Sequence, residues 1–498
     1  MITKTELGKE NIKYYSNTGM PLEEIIKNEI DSWLNEKNKK RNLMITGENY
    51  YKGIKLEIDN KDRYFIGKNG MKIRDNENRR NNKLKHNFFK KLVNQKVGYL
   101  LSNGVMPNTD NDKYQEELEE RLDEEFTKRF INTAREAIYK GIAWWQVYYK
   151  NGQLKFTRIP SEELIPLWAN REHTSLDAII RVYEVDVYEG KNMKVVTKVE
   201  YYDTNGVKRY IYEKGNLIED VENPNNYHFR AVRKIEDEEG NEIEAELGLN
   251  WSKVPFIYFK YNEFEIPLIQ DILSLGDDYN RKRSEFADIL SDAVRAILIV
   301  RNYDGEDLAE FNENIFKHFA AKVSDDGNVD KITLDIDSDA HKTHINQLRQ
   351  DIFEFGRGVD LDNDKFGNSP SGIALKILYN DLDMDCNDFA TELKASLNYL
   401  LYFINVDIAN NPNSEYKATL EELENTKVEF NFEKNMLTNE LDLIEALEKS
   451  SLSERTKVEK NPYAAEDEMD RIEKERKETF EDMLDYPKIE GIEKQEEE

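Results

Sequence analysis

The chain predicts an α+β fold, mainly helical, with an antiparallel β meander set among long helices. Two patterns carry that reading. Between Val254 and Val300 the sequence reads as a strand, a turn at Glu265-Ile266-Pro267, one long helix over about 266–296, and a second strand. Leu268, Ile269, Ile272, Leu273, Leu275, Tyr279, Phe286, Ile289, Leu290 and Val294 recur with a helical period. Asp277, Asp278, Arg281, Lys282 and Arg283 interrupt that stripe in its middle. A helix apolar at both ends and charged between them packs at its ends and meets water or a charged partner at its centre. From Ile142 the period is two instead: GIAWWQVYYKNGQLKFTRIP is a hairpin whose Asn151-Gly152 pair supplies the positive φ angles of a tight turn.

The remaining elements can be placed in chain order. Residues 21–42 are expected to form one charged amphipathic helix with Pro21 in its first turn. After Tyr50-Tyr51-Lys52-Gly53-Ile54 comes a basic, amide-rich stretch that runs into a helix, with Leu84, Phe88, Leu92 and Val93 on one face. Residues 111–140 continue as a charged helix. Strands follow the first hairpin around Ala178–Tyr188, Lys194–Tyr202 and Lys208–Tyr212, with Asn205-Gly206 as another hairpin turn. The acidic insertion KIEDEEGNEIEAELG reads as an exposed loop. Beyond the long helix, short strands (Ala296–Val300, Lys331–Ile336) flank a helix at Glu306–Phe319, and His341–Phe355 is helical again. Asp360–Ser371 is a polar loop, and a helix of about 35 residues starts at Gly372. A strand at Lys427–Phe432 precedes helices from Thr438, which end in an acidic, solvated tail.

Composition narrows the class. At 498 residues the chain can hold two or more structural units. A hydrophobic content of 39% with 11% aromatic is too rich for a disordered chain. The 100 acidic against 71 basic residues give −29, which argues against a protein that coats nucleic acid and does not exclude one that DNA slides past. One cysteine, Cys386, rules out a disulfide framework and fits a reducing compartment. No apolar run approaches the ~20 residues of a membrane span, and MITKTELGKENIKYY lacks the apolar stretch of a signal peptide. The expectation is a soluble, intracellularly assembled protein with no membrane partner.

Motifs for chemistry are weak. Asp360, Asp362 and Asp364 alternate like a calcium loop, but Lys365 stands where glycine is needed and Ser371 where a bidentate Glu belongs. Asp335, Asp337 and Asp339 share that flaw. His341 and His344 lie three apart without a further ligand nearby. There is no GxxxxGK[ST] for a nucleotide, Gly356-Arg357-Gly358 is no dinucleotide fingerprint, and no GxSxG offers a nucleophile. The chain is therefore read as binding no metal or cofactor and as no enzyme. Trp144, Trp145, Tyr148 and Tyr149 alternate as in a sheet buried on both faces, rather than forming a base-stacking platform. The basic run Arg79–Lys96 offers a phosphate site, and its interleaved apolar residues make a partly buried helix with a solvated face at least as good a reading.

Two passages carry a resemblance. The first holds Tyr50, Tyr51, Gly53, Asn81, Asn82, His86, Asn87, Lys90, Gly98, Tyr99 and Leu100. In the second, Asn368, Ser371, Gly372, Ala374 and Leu375 stand where a polar loop enters a helix that Ser369 or Ser371 can cap. With the strand, long helix, small β unit and return helix between them, the chain resembles the large portal family of tailed bacteriophages common in phages of Gram-positive bacteria. It departs from that pattern by an inserted Pro370. The resemblance implies a portal fold: wing (1–265), stem helix (266–296), clip (297–340), stem return helix (341–357), channel loop (358–371), long wing helix and strand (372–435), and crown with acidic tail (436–498). It implies a ring of about twelve copies at one capsid vertex, assembled in the bacterial cytoplasm and retained in the virion. The ring would pass double-stranded DNA without sequence specificity and dock the terminase large subunit. It would also seat head-completion or adaptor proteins and meet major capsid and scaffolding proteins.

Site residues follow from the same resemblance. The channel loop would present Asp360, Asp362, Asp364, Lys365, Asn368, Ser369 and Ser371. Leu273, Asp277, Arg281, Lys282, Arg283 and Ile289 would belong to the stem, and Ile299, Arg301, Lys331 and Ile332 to the clip. An acidic scaffold or adaptor protein without a nucleic-acid role is the alternative. A metal-dependent nuclease using the Asp clusters is a further one.

Overall fold

The period-two stretch after Gly141 lies at the centre of the fold, because both of its faces are apolar and both must be covered. The structure, a computed structural model, describes residues 19–66, 71–74, 80–190, 192–224, 226–236, 242–293, 297–301, 328–332, 338–360, 372–411, 416–435, 440–461, 463–465 and 467–484. It divides into two units, residues 1–360 with 381–435, and residues 361–380 with 436–498. The helices are α1 (Leu22–Leu34), α2 (Lys39–Lys52), α3 (Phe88–Leu100), α4 (Asp112–Arg121), α5 (Glu124–Lys140), α6 (Ile269–Ala293), α7 (Ser338–Phe355), α8 (Gly372–Asn410), α9 (Leu420–Asn425), α10 (Glu440–Lys449), α11 (Glu454–Glu459) and α12 (Glu468–Leu484). The strands that matter below are β1 (Tyr64–Ile66), β2 (Lys72–Arg74), β3 (Met106–Asn108), β4 (Ile142–Lys150), β5 (Gln153–Ile159), β6 (Leu164–Trp168), β7 (Leu176–Glu189), β8 (Asn192–Asp203), β9 (Gly206–Glu213), β10 (Asn216–Glu219), β11 (Phe229–Glu236), β12 (Glu242–Leu249), β13 (Phe256–Lys260), β14 (Ile297–Arg301), β15 (Asn328–Ile332) and β16 (Glu429–Asn431).

In the first unit β4 pairs antiparallel with both β5 and β13, and Asn151 and Gly152 take φ of 53° and 75° at the hairpin turn. Trp144 points to one side, against Trp168 and Tyr258, in a core shared with α1 and the five-stranded sheet β10-β9-β8-β7-β6. Trp145 points to the other side, edge-on to Phe126 of α5 at 5.3 Å, and its Nε1 donates to Thr133 Oγ1 at 2.6 Å. Both indoles are fully buried, so the strand has a sheet core on one face and a helix core on the other. In the second unit Ser453 caps α11, and Arg476 of α12 pairs with Glu454.

Several elements differ from the sequence reading, and local capping explains most of them. Residues 21–42 form parts of two helices, because Asn38 accepts from the Arg41 N–H and starts α2 afresh. The 111–140 helix is likewise two, restarted where Asp123 accepts from the Phe126 N–H at 2.7 Å. Leu84 is on no helix face: α3 begins at Phe88, after Asn87 accepts from the Lys90 N–H. The acidic insertion is a hairpin, with β11 and β12 in register from Phe229↔Leu249 to Glu236↔Glu242. Its foot is held by Phe229, 4.7 Å from Trp251 and 5.0 Å from Tyr149. The strand placed at Lys331–Ile336 is Asn328–Ile332, paired with β14. The helix expected at 306–319, the loop over 361–371, and Val294 fall outside the described residues.

Candidate functional site

A polar side chain on the buried face of a helix has to find partners, because an unpaired buried donor or acceptor costs about 1–3 kcal/mol. Helix α6 buries three of them, Asn280, Ser284 and Asp288, spaced by four and so aligned on one face. Their partner is the non-helical segment 80–86, here called the strap. The Asn82 N–H donates to Asp288 Oδ1 at 2.7 Å, the Leu84 N–H to Ser284 Oγ at 2.9 Å, and the His86 N–H to Asn280 Oδ1 at 2.8 Å. Every second strap residue thus meets every fourth helix residue. Eight helical residues advance about 12 Å, so the strap advances ~3 Å per residue, close to an extended strand. Lys61 adds an ion pair to Asp288, and its Nζ also donates to Asn81 Oδ1 at 3.0 Å. Burial pushes the His86 imidazole below its ordinary pKa, and the nearby Arg283 adds to that effect; the ring packs edge-on to Tyr279 at 5.0 Å.

The same network reaches further along the chain. Asn87 Nδ2 donates to the Tyr50 carbonyl at 3.0 Å, tying the strap to the end of α2. The Tyr50 hydroxyl donates to Asp277 Oδ1 at 2.7 Å, and Arg281 pairs with Glu57. The charged middle of α6 is therefore met by its own chain's N-terminal segments, where the sequence pattern left water or a separate partner open. On the other side α6 packs along α7: His341 stacks on Phe286 at 3.9 Å, and His344 Nε2 lies 3.4 Å from Asp278 Oδ2. These histidines bridge two helices and form no metal cluster; among the described residues no such cluster occurs.

Two buried carboxylates lock the foot of the helix pair. Glu265, in the turn before α6, pairs with Lys40 and places Oε1 2.6 Å from His173 Nδ1. Burial alone would raise its pKa, but Lys40 and His173 outweigh that and hold it at about 2. Glu265 and His173 both have left-handed backbones, with φ of 56° and 55°, so the contact is made against a conformational preference. The second lock is Asp385 of α8. It accepts from Lys96 Nζ at 2.7 Å, from Tyr261 Oη at 2.8 Å and from Arg357 Nη1 at 2.8 Å. Those partners come from α3, from the chain entering α6 and from the turn leaving α7. That turn carries the Gly356-Arg357-Gly358 sequence, and its glycines are needed for space: a Cβ on Gly358 would lie 2.1 Å from Leu92 Cδ2.

The expected site residues take the following places. Leu273 is half-buried and lines a small cavity with Ile269, Ile272 and Phe88, while Ile289 is 41% exposed. Lys282 pairs with Glu285 at 3.2 Å. Asp360, the one described member of the polar loop, is held by a two-pronged ion pair from Arg349 of α7, both contacts at 2.7 Å. Asp362, Asp364, Lys365, Asn368, Ser369 and Ser371 lie outside the described residues. In the β14–β15 ribbon, Ile299 pairs with Asp330, Arg301 with Asn328, Lys331 with Leu298 and Ile332 with Ile297. Sequence reasoning missed the acceptor row 280–284–288 and both locks. The row has a detectable signal, three small polar residues at four-residue spacing; the locks have none, because their partners are remote in sequence.

Residues 30–482 match the family described as phage portal protein, SPP1 Gp6-like. The chain is similar to the portal protein of Bacillus phage SPP1, with 26% identity over 455 residues, covering 90% of this chain and 85% of that protein. It is also similar to the portal protein of Clostridium phage phiCD119, with 28% identity over 415 residues, covering 79% of this chain and 84% of the relative.

Proposed function

Since the chain belongs to the SPP1 Gp6-like family of phage portal proteins, we propose that α6 and α7 are its stem, raised on the two carboxylate locks and joined through a β14–β15 clip. The protein itself is a phage portal protein, a capsid-associated oligomer and a virion component. In the finer reading about twelve copies form a ring at one vertex. The ring is a conduit for double-stranded DNA in packaging and ejection. The terminase large subunit and the head-completion protein dock on the clip, and the capsid and scaffolding proteins meet the wing, the region before α6. ATP is hydrolysed by the terminase, and this chain's part is passive.

The observation that carries the reading is the helix pair held at its foot and along one side. A wall beside moving DNA has to keep its position, and the locks and strap fix α6 without using its outward face. Ile289 and Leu290 remain uncovered there, available to a neighbouring copy. The net charge of −29 lets phosphate pass a repelling surface rather than a sticky one. Beyond a Debye length of ~8 Å at physiological salt that repulsion fades, so it acts on DNA close to the wall. Negative-stain microscopy of the purified protein tests the assembly. Rings with a central opening are expected, and a small oligomer without one would overturn the reading.

A further inference from the structure

We infer that the β1–β2 hairpin of one copy docks into a groove beside α5 of the next copy and makes a head-to-tail contact of the ring. This rests on the ring assembly proposed above. A closed ring of identical chains joined head to tail needs two different surfaces that fit each other. The hairpin is the first surface. Its strands pair only three residues deep, Tyr64↔Arg74 to Ile66↔Lys72. Tyr64, Met71 and Ile73 are 57%, 64% and 44% exposed, and Lys72 and Arg74 are exposed beside them. A short two-stranded hairpin with uncovered apolar side chains is marginal in water, so a covering surface would complete it.

The groove is the second surface. It has a volume of about 560 Å³ and an apolar floor that includes Val105, Leu122 and Ile131, with Met106 54% exposed at its side. Its charge runs in one direction along α5. Asp123 and Glu124 stand where the helix begins, with exposed Glu119 and Glu120 just before them, and the basic Lys128 and Arg135 follow one turn and three turns further on. The hairpin offers the complementary pattern, methionine and isoleucine for the floor and Lys72 for the acidic end, while Arg74 is held by Asp62 of its own chain at 2.8 Å. In a chain of net charge −29 most pairs of surfaces repel, so a basic apolar hairpin has few places to settle on another copy.

Crosslinking in assembled rings tests the contact. The natural cysteine, Cys386, is buried, which pushes its thiol up to about 12 and leaves it inert to maleimides. Rings would be assembled from a mixture of Met71→Cys chains and Met106→Cys chains and treated with a short bis-maleimide. Crosslinked dimers holding one chain of each kind are expected in mixed rings and absent from rings of either variant alone. Intact rings that give no such dimers would overturn the docking while leaving the ring standing. Failure of the unsubstituted chain to form rings would overturn the ring reading itself. A charge swap gives an independent measurement: Lys72→Glu should lower ring yield, and adding Glu124→Lys should restore it. Undiminished ring yield with Lys72→Glu, or no recovery in the double variant, would count against the contact.

Discussion

Glu265 is the residue whose chemistry sets the clearest condition on stability. Its folded pKa of about 2 lies below the ordinary 4.5, so the carboxylate form is favoured by folding. That stability is fully present above pH 4.5 and is lost as pH falls toward about 2. The difference corresponds to about 3 kcal/mol. Glu265→Gln should therefore lose about 3 kcal/mol at neutral pH and show a flatter acid limb, measured by urea unfolding from pH 7 to pH 2. An unchanged acid limb in the variant would mean that Glu265 is not the group responsible. At Gly358, a Cβ has to displace Leu92, so Gly358→Ala should cost about 1–3 kcal/mol, and Leu92→Ala, which by itself empties a buried site, should cost less in that background than in the parent chain. Thermal melts of the single and double variants read this directly. Neither position was legible in the sequence. Lys40 and Glu265 are 225 residues apart, and Lys96 and Asp385 are 289 apart; no periodicity spans such distances.

Helix α6 shows what is legible at the scale of an element and where that stops. Its length, its preceding turn and its apolar ends were readable from the 3.6-residue period. What its central turns touch was not, because Asn280, Ser284 and Asp288 differ from solvent-facing residues only in having a strap to receive. The same holds for the 111–140 stretch that proved to be two helices: Tyr114, Leu118, Leu122, Phe126 and Phe130 recur every four residues through Asp123, and only its hydrogen bond shows that a new helix starts there. The strap makes a graded prediction. Ser284→Ala should cost about 1 kcal/mol by orphaning the Leu84 N–H. Asp288→Ala should cost about 3–5 kcal/mol, because Lys61 is left without its carboxylate. Hydrogen exchange at 82, 84 and 86 should rise in both variants; equal protection in Asp288→Ala would show that the strap does not depend on the row. The two apolar positions on α6 separate folding from assembly. Leu273→Asp places a charge beside the small cavity and should lower the melting temperature. Ile289→Asp, on the exposed side, should leave melting unchanged and reduce ring yield, and normal rings would remove Ile289 from any subunit contact.

At the scale of the whole molecule the α+β class, the meander and the return helix were visible as alternating periods, and the acid excess argued against DNA coating before any fold was known. The hairpin over 229–249 was missed for another reason: Ile243, Ala245, Leu247 and Leu249 do alternate with polar residues along β12, but the acidic run around them reads as an exposed loop. In the proposed channel, Asp362 and Asp364 repeat around the ring with Lys365 as the cation among them. Replacing both with Lys should leave rings and procapsids intact but slow packaging, more strongly at low salt, where a basic collar grips phosphate. Packaging rates unchanged across a salt series would show that this loop does not face DNA. The strap also has a mechanical meaning. Its three rungs cross between two roughly parallel rails, so a pull along the axis of α6 loads all of them together, in shear. Lifting one end of the strap loads them singly, in peel. In the proposed stem, DNA driven past this helix would apply the first kind of load, the direction in which the joint is strongest.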